Sequence, residues 1–254
     1  MNTDVTAIAI GFLIATAMGL TGVGGGTLTT PMLLLVLRLK AAVAVGTALV
    51  FAATINLLTS PMYMLRRQVS FKTLGWMLLG GVPGVICGGL FLNSLNKHVD
   101  QHVLYVILGI TIVSAAILNV YRLMRTGGAA GTGNRPRWLT PLMFPVGMEV
   151  GFSSAGAGAL GSLSLLGLTS LTAAKVVGTD ITFALTLTLI GGGIQVFAGN
   201  YNLNIYEHLL MGGVVGAFVG GTLAMKIPSR PLKWGLAVWL AGIGVNLVVR
   251  GLAT

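Results

Sequence analysis

The chain reads as an all-α, multi-pass membrane protein built from two inverted repeats, each a broken helical hairpin followed by three transmembrane helices. Three observations predict this. Hydrophobic residues make up 55% of the chain and charged residues only 8%, against roughly 25% charged in a soluble domain. Apolar runs of about 18 residues or more recur along it, as spans require. Two patterns then repeat at a fixed offset. Gly46-Thr47-x-x-x-Phe51-Ala52-x-Thr54 returns as Gly178-Thr179-x-x-x-Phe183-Ala184-x-Thr186, 178 − 46 = 132 residues later. Gly80-Gly81-Val82-x-Gly84-x-x-x-Gly88-Gly89 returns at the same offset as Gly212-Gly213-Val214-x-Gly216-x-x-x-Gly220-Gly221.

The apolar runs are continuous rather than alternating, which excludes a porin-like barrel. Full spans are expected at 42–64, 71–93, 100–122, 173–197, 204–225 and 231–249. The segment 5–37 is broken by Gly22-Val23-Gly24-Gly25-Gly26. As one helix it would measure about 50 Å, too long for a hydrocarbon core of roughly 30 Å. It is short for two full spans with a turn, so a hairpin with both ends on one face is expected. The segment 139–171, broken at Gly156-Ala157-Gly158, is expected to do the same. Val5 to Leu20 follows Asp4 and no Lys or Arg, whereas a cleaved signal carries a basic leader. Cys87 is the only cysteine, so no intrachain disulfide can form, and its glycine neighbours suggest a small packing residue.

Charge placement orients the chain. The net charge of +10 suggests nucleic acid only until the basic residues are located, because they lie scattered between spans. With two hairpins, one side holds Arg66, Arg67, Lys72, Arg122, Arg125, Arg135, Arg137, Lys175, Lys226, Arg230 and Lys233. The other holds Arg38, Lys40, Lys97 and Arg250, a split of 11 to 4. Were each broken segment to cross once, the split would be 8 to 7 and carry no orientation signal. The positive-inside rule then places both termini outside a bacterial inner membrane. A hairpin plus three spans is an odd number of crossings per repeat, so the repeats are expected to be inverted. Residues 1–121 form the first repeat, 122–137 a basic, glycine-rich cytoplasmic linker, and 138–254 the second repeat.

The motifs Gly22-Val23-Gly24-Gly25-Gly26-Thr27-Leu28-Thr29-Thr30-Pro31 and Ala44-Val45-Gly46-Thr47 resemble the TauE/SafE family of sulfite exporters. So do Gly156-Ala157-Gly158-Ala159-Leu160 and Val177-Gly178-Thr179 in the second half. The resemblance covers nearly the whole chain and implies a permease for sulfite, thiosulfate, sulfonates or related anions. The second hairpin departs from the first, lacking the full Gly-Gly-Gly and the proline, so the tips are not equivalent.

The residues themselves supply a mechanism consistent with that class. Glycines at a hairpin tip let backbones approach and leave unpaired N–H groups at a helix start. Such N-termini are natural anion sites, and no basic residue lies deep in any expected span. Gly22, Gly24, Gly25 and Gly26 with Thr21 and Thr27 at one tip, and Gly156 and Gly158 with Ser153 and Ser154 at the other, are the substrate-binding candidates. Their alternative role is to permit close helix packing, the role favoured for the glycines at 80–89 and 212–221. Thr47 and Thr179 join the binding candidates. Phe51, Thr54, Phe183 and Thr186 either line the pathway or, for the threonines, bond a carbonyl one turn back. Asp180, whose counterpart is Ala48, and Glu149, set opposite Ala15 by aligning the glycine breaks, are candidates for proton coupling, since an ionisable group inside a span is costly. The alternative for Asp180 is a carboxylate satisfied locally that positions the tip.

The function expected is a secondary transporter, in the export direction, of a small sulfur-containing anion, with alternating access around a midplane site between the tips. A passive anion channel or an importer of the same class is the alternative. No nucleophile–base set suggests an enzyme, and no cofactor is expected. His98 and His102 lack a third ligand, so no metal site is expected. The partners are the anion and the lipid bilayer, with no nucleic acid. Association into a homo-oligomer is left open.

Overall fold

A computed structural model of the chain describes residues 3–21, 26–125, 136–155, 157–223 and positions 242, 245, 246 and 249. Among them every regular element is helical. The helices are α1 (Thr3–Thr21), α2 (Gly26–Leu35), α3 (Ala41–Leu65), α4 (Phe71–His98), α5 (Gln101–Arg125), α6 (Leu139–Ser153), α7 (Ala157–Leu168), α8 (Ala173–Phe197) and α9 (Leu203–Leu223). Four of these, α3, α4, α8 and α9, are long and apolar enough to cross a membrane. The expected span at 231–249 lies almost wholly outside the described residues. Residues 122–125, assigned to the linker from sequence, continue α5, and 136–138 form a short 3-10 turn.

Both broken segments are helix pairs, α1 with α2 and α6 with α7. The arms are short. At about 1.5 Å per residue, the 10 residues of α2 reach about 15 Å and the 12 of α7 about 18 Å. Neither traverses a core of roughly 30 Å.

At the centre, α3 and α8 cross antiparallel. Gly192 meets Val50 near one end, and Ser60 Oγ hydrogen-bonds Thr182 Oγ1 at 3.1 Å towards the other. Around this pair, the helices of the two halves exchange partners. α1 runs parallel to α9, where a Cβ on Gly212, Gly216 or Gly220 would overlap the carbonyl oxygen of Ile8, Phe12 or Thr16. α6 runs parallel to α4, where Gly80, Gly84 and Gly88 meet the carbonyl oxygens of Thr140, Phe144 and Met148. Each partner in the second set lies 132 residues from its counterpart in the first, with the glycine and the carbonyl in opposite halves. The glycine stripes therefore serve packing. With no side chain between them, the two backbones come into direct contact.

The aromatic residues follow the same exchange. Phe51 and Phe183 are fully buried, with the ring of Phe51 on Gly213 and that of Phe183 on Gly81. Thr47 Oγ1 accepts the N–H of Asn202 at 3.2 Å, ahead of α9. Thr179 Oγ1 accepts that of Ser70 at 3.0 Å, ahead of α4. Each threonine thus supplies an acceptor to a helix start in the other half, where orphan N–H groups need one.

Two sequence readings change. Cys87 is exposed rather than packed, because the glycines that pack are at 84, 88 and 89 and the cysteine points away from them. The contacts also set the hairpin register at 132, so Glu149 corresponds to Ala17, not Ala15. The glycine breaks themselves are offset by 156 − 22 = 134, two residues more, because the two tips place their glycines differently. In this register Ser154 corresponds to Gly22, and Gly158 to Gly26.

Gly84→Leu is expected to destabilise the detergent-solubilised protein by about 1–3 kcal/mol or more, the usual cost of overpacking. Gly75→Leu, at a position with open space around it, is expected to leave the thermal unfolding midpoint unchanged; comparing the two melting curves checks this.

Candidate functional site

The two hairpin tips meet. α2 starts at Gly26, and a Cβ there would overlap both the carbonyl oxygen and the Oγ of Ser154, the residue just after α6. Only glycine permits this approach. Ser154 is left-handed, with φ of 62°, a conformation that costs a non-glycine residue about 1–2 kcal/mol. It is 4% exposed, and its hydroxyl has no hydrogen-bond partner among the described residues.

Ser153 behaves differently. Its Oγ donates to the Glu149 carbonyl at 3.0 Å and accepts the Ala155 N–H at 3.2 Å, so it caps the end of α6. Of the other binding candidates, Gly22, Gly24, Gly25 and Gly156 lie outside the described residues, as do the side chains of Thr21 and Thr27. Gly158 falls in the first turn of α7. Thr47 and Thr179 are engaged at the starts of α9 and α4. Thr54 and Thr186 donate to the carbonyls of Val50 and Thr182 one turn back, at 3.0 and 3.1 Å. Thr54 also meets the Tyr206 hydroxyl at 2.9 Å.

The two acids have different environments. Asp180 is 3% exposed and accepts the hydroxyl of Ser162 on α7. Its other carboxylate oxygen packs where a Cβ on Gly161 would stand, so it holds the second arm of its own hairpin against α8. Glu149 lies on α6, five residues before the tip at Ser154, which is about 7 Å of helix rise. Its Oε1 is buried with no hydrogen-bond partner among the described residues.

Sequence reasoning missed Thr30. It is fully buried on α2, and its hydroxyl has no partner among the described residues. Leaving such a hydroxyl unpaired costs on the order of 1–3 kcal/mol. The repeat held a signal: Thr30 occupies the position of Ser162, but the partner position holds Ala48 instead of Asp180.

A family model described as "Sulfite exporter TauE/SafE" matches residues 7–247. The chain belongs to this family. A protein of Bacillus subtilis (strain 168), named "Probable membrane transporter protein YjnA", is 29% identical over 259 residues, covering 96% of this chain and 100% of its own length. A "Probable membrane transporter protein" of Xylella fastidiosa (strain 9a5c) is 27% identical over 114 residues, covering 45% of this chain and 43% of its own. No solved structure matches. The family and the apolar helices together place the chain in a membrane as a transporter.

Ser162→Ala is expected to lower stability by about 1–3 kcal/mol, because a buried carboxylate loses a donor. Thr30→Val, which removes a hydroxyl with no partner to lose, is expected to leave the substrate-free melting temperature unchanged or higher. Differential scanning fluorimetry of the two variants reads the contrast.

Proposed function

We propose that the chain is a secondary transporter that exports a small sulfur-containing anion, such as sulfite, thiosulfate or an organosulfonate, through a site between the hairpin tips. The observation that carries this is the Gly26–Ser154 meeting point, where a helix start and a buried hydroxyl with no partner among the described residues converge. A helix N-terminus presents unpaired N–H groups and partial positive charge, so an anion can be held with no buried Lys or Arg. Breaks tolerated at membrane depth belong where they line a cavity.

The architecture proposed is a pair of inverted repeats, 1–121 and 138–254, joined by a cytoplasmic linker at 122–137, with both termini outside the cytoplasm. The parallel pairing of α1 with α9 and of α4 with α6, and the antiparallel crossing of α3 and α8, support it. If α1 runs away from one membrane face, α3, α5 and α9 follow it, and α4, α6 and α8 oppose it. The two hairpins then enter from opposite faces, and their short arms make them re-entrant. Their tips approach each other within the membrane, which is the geometry alternating access needs.

Transport is coupled to protons through Glu149. A buried carboxyl oxygen with no partner among the described residues, about one and a half turns from the proposed site, is where a proton would supply a hydrogen-bond donor. Asp180 is already engaged by Ser162 and acts as a positioning residue for α7.

Radiotracer flux in proteoliposomes tests this reading, with sulfite, thiosulfate and small sulfonates as substrates. Wild-type protein is expected to move at least one of them, faster under an imposed pH gradient. Glu149→Gln is expected to keep anion exchange and lose the stimulation, and Asp180→Asn to keep it. Absence of flux for every anion would overturn the functional reading. Stimulation that survives Glu149→Gln would overturn the coupling role.

A further inference from the structure

The proposed site has two arms that the repeat makes equivalent and their chemistry makes different. Position 30 on α2 corresponds to 162 on α7, and 48 on α3 to 180 on α8, at the offset of every reciprocal contact. In the second half the Ser162 hydroxyl donates to one oxygen of the Asp180 carboxylate, so the hydroxyl has an acceptor. In the first half the hydroxyl persists as Thr30 while the carboxylate is replaced by Ala48, and both residues are 0% exposed. Thr30 Oγ1 is left with no partner among the described residues. One turn earlier on the same helix, Gly26 abuts Ser154, which is 4% exposed and whose hydroxyl is likewise without a partner.

Ser154 adds an observation of a different kind. It holds a left-handed conformation, φ 62°, that glycine adopts freely, and the equivalent position in the first hairpin is Gly22. Strain of this kind persists where a side chain is used. Two buried hydroxyls without partners among the described residues therefore stand within one turn of the same helix start, one of them at a position where glycine would be cheaper. Each can donate one proton, and the amides of the first turn of α2 add further donors. The first-half arm carries no acid; the second-half arm presents one.

Resting on the transporter reading above, we propose that Thr30 and Ser154 are the hydroxyl donors of an oxyanion subsite at the start of α2. The Thr30/Ala48 arm, rather than the Ser162/Asp180 arm, takes the substrate oxygens. The ligand class is a small anion with two or more oxygens on one centre, such as sulfite or the head of a sulfonate. Two hydroxyls and helix-start amides then contact separate oxygens of one group. Ala48 matters through what it lacks. An acid there would accept the Thr30 proton, as Asp180 accepts that of Ser162, and would oppose the anion's charge.

The test uses the full-length protein in proteoliposomes, with radiolabelled sulfite flux giving KM and maximal rate. Protection by sulfite against thermal unfolding gives binding independently. Thr30→Val and Ala48→Asp are each expected to raise KM about tenfold or more and to lose most of the protection, the loss of one hydrogen bond to a charged group. Thr30→Ser, which keeps the hydroxyl, is expected to recover most of the affinity. Thr30→Val is the decisive variant should Ala48→Asp not fold, since it removes an unpaired hydroxyl. A wild-type KM and full protection in Thr30→Val would overturn the subsite while leaving the transport reading standing. A wild-type protein that neither moves nor is protected by sulfite, thiosulfate or a sulfonate would overturn both.

Discussion

Backbone against backbone is how α1 meets α9 and how α4 meets α6. In lipid there is little hydrophobic gain in pressing one apolar helix on another, so association rests on close packing. Glycine at every fourth position lets the carbonyl oxygens of the facing helix settle against the glycine Cα. Everything else in the fold is placed by these two seams. They fix the height of each hairpin relative to the long helices, and hence where each tip stands. The rings of Phe51 and Phe183 fill the space beside the seams, each lying on a glycine of the other half. The central crossing of α3 and α8 is then closed by small residues and the Ser60–Thr182 hydrogen bond.

Much of this was legible in the sequence. The helix ends of α3 and α8 fall within a residue of the expected spans, because a run of apolar residues ended by polar loops leaves little freedom. The duplication was visible too, and with it the broken hairpins. The exchange of partners was not, since an offset of 132 says which positions are equivalent but not which half each packs on. The register of the hairpins was misread for a related reason. Glycines in the two tips are used differently, so aligning Gly156-Ala157-Gly158 with the first tip drew Glu149 towards Ala15. The reciprocal carbonyl contacts restore Ala17. Thr47 and Thr179 were singled out for their place beside glycine, and the contact that explains them, a helix start in the other half, is invisible to local reading.

The polar groups of the site separate into those with partners and those without. Ser153, Thr54 and Thr186 have theirs one turn back on the same helix, and Asp180 has Ser162 on the neighbouring α7. Among the described residues, Ser154, Thr30 and one oxygen of Glu149 do not. A low-dielectric interior makes an unpaired polar atom expensive, so its retention asks for a compensating ligand. That contrast, rather than the presence of hydroxyls as such, is what narrows a broad set of candidates to a few atoms near one helix start. Sequence alone cannot make the separation, because a serine looks the same whether or not its proton is taken.

The exchange of partners also bears on how the chain is assembled. α1 ends at Thr21, yet the helix it packs on, α9, begins at Leu203. At about 5–20 residues per second, some 180 residues of synthesis separate the end of one from the start of the other, on the order of 10–40 seconds. Throughout that interval the face of α1 that packs on α9, Gly11 included, is without its seam. α4 waits less, because α6 follows it after one helix and the linker. The two hairpins are thus seated at different times, and the first cannot be seated until α9 has been made.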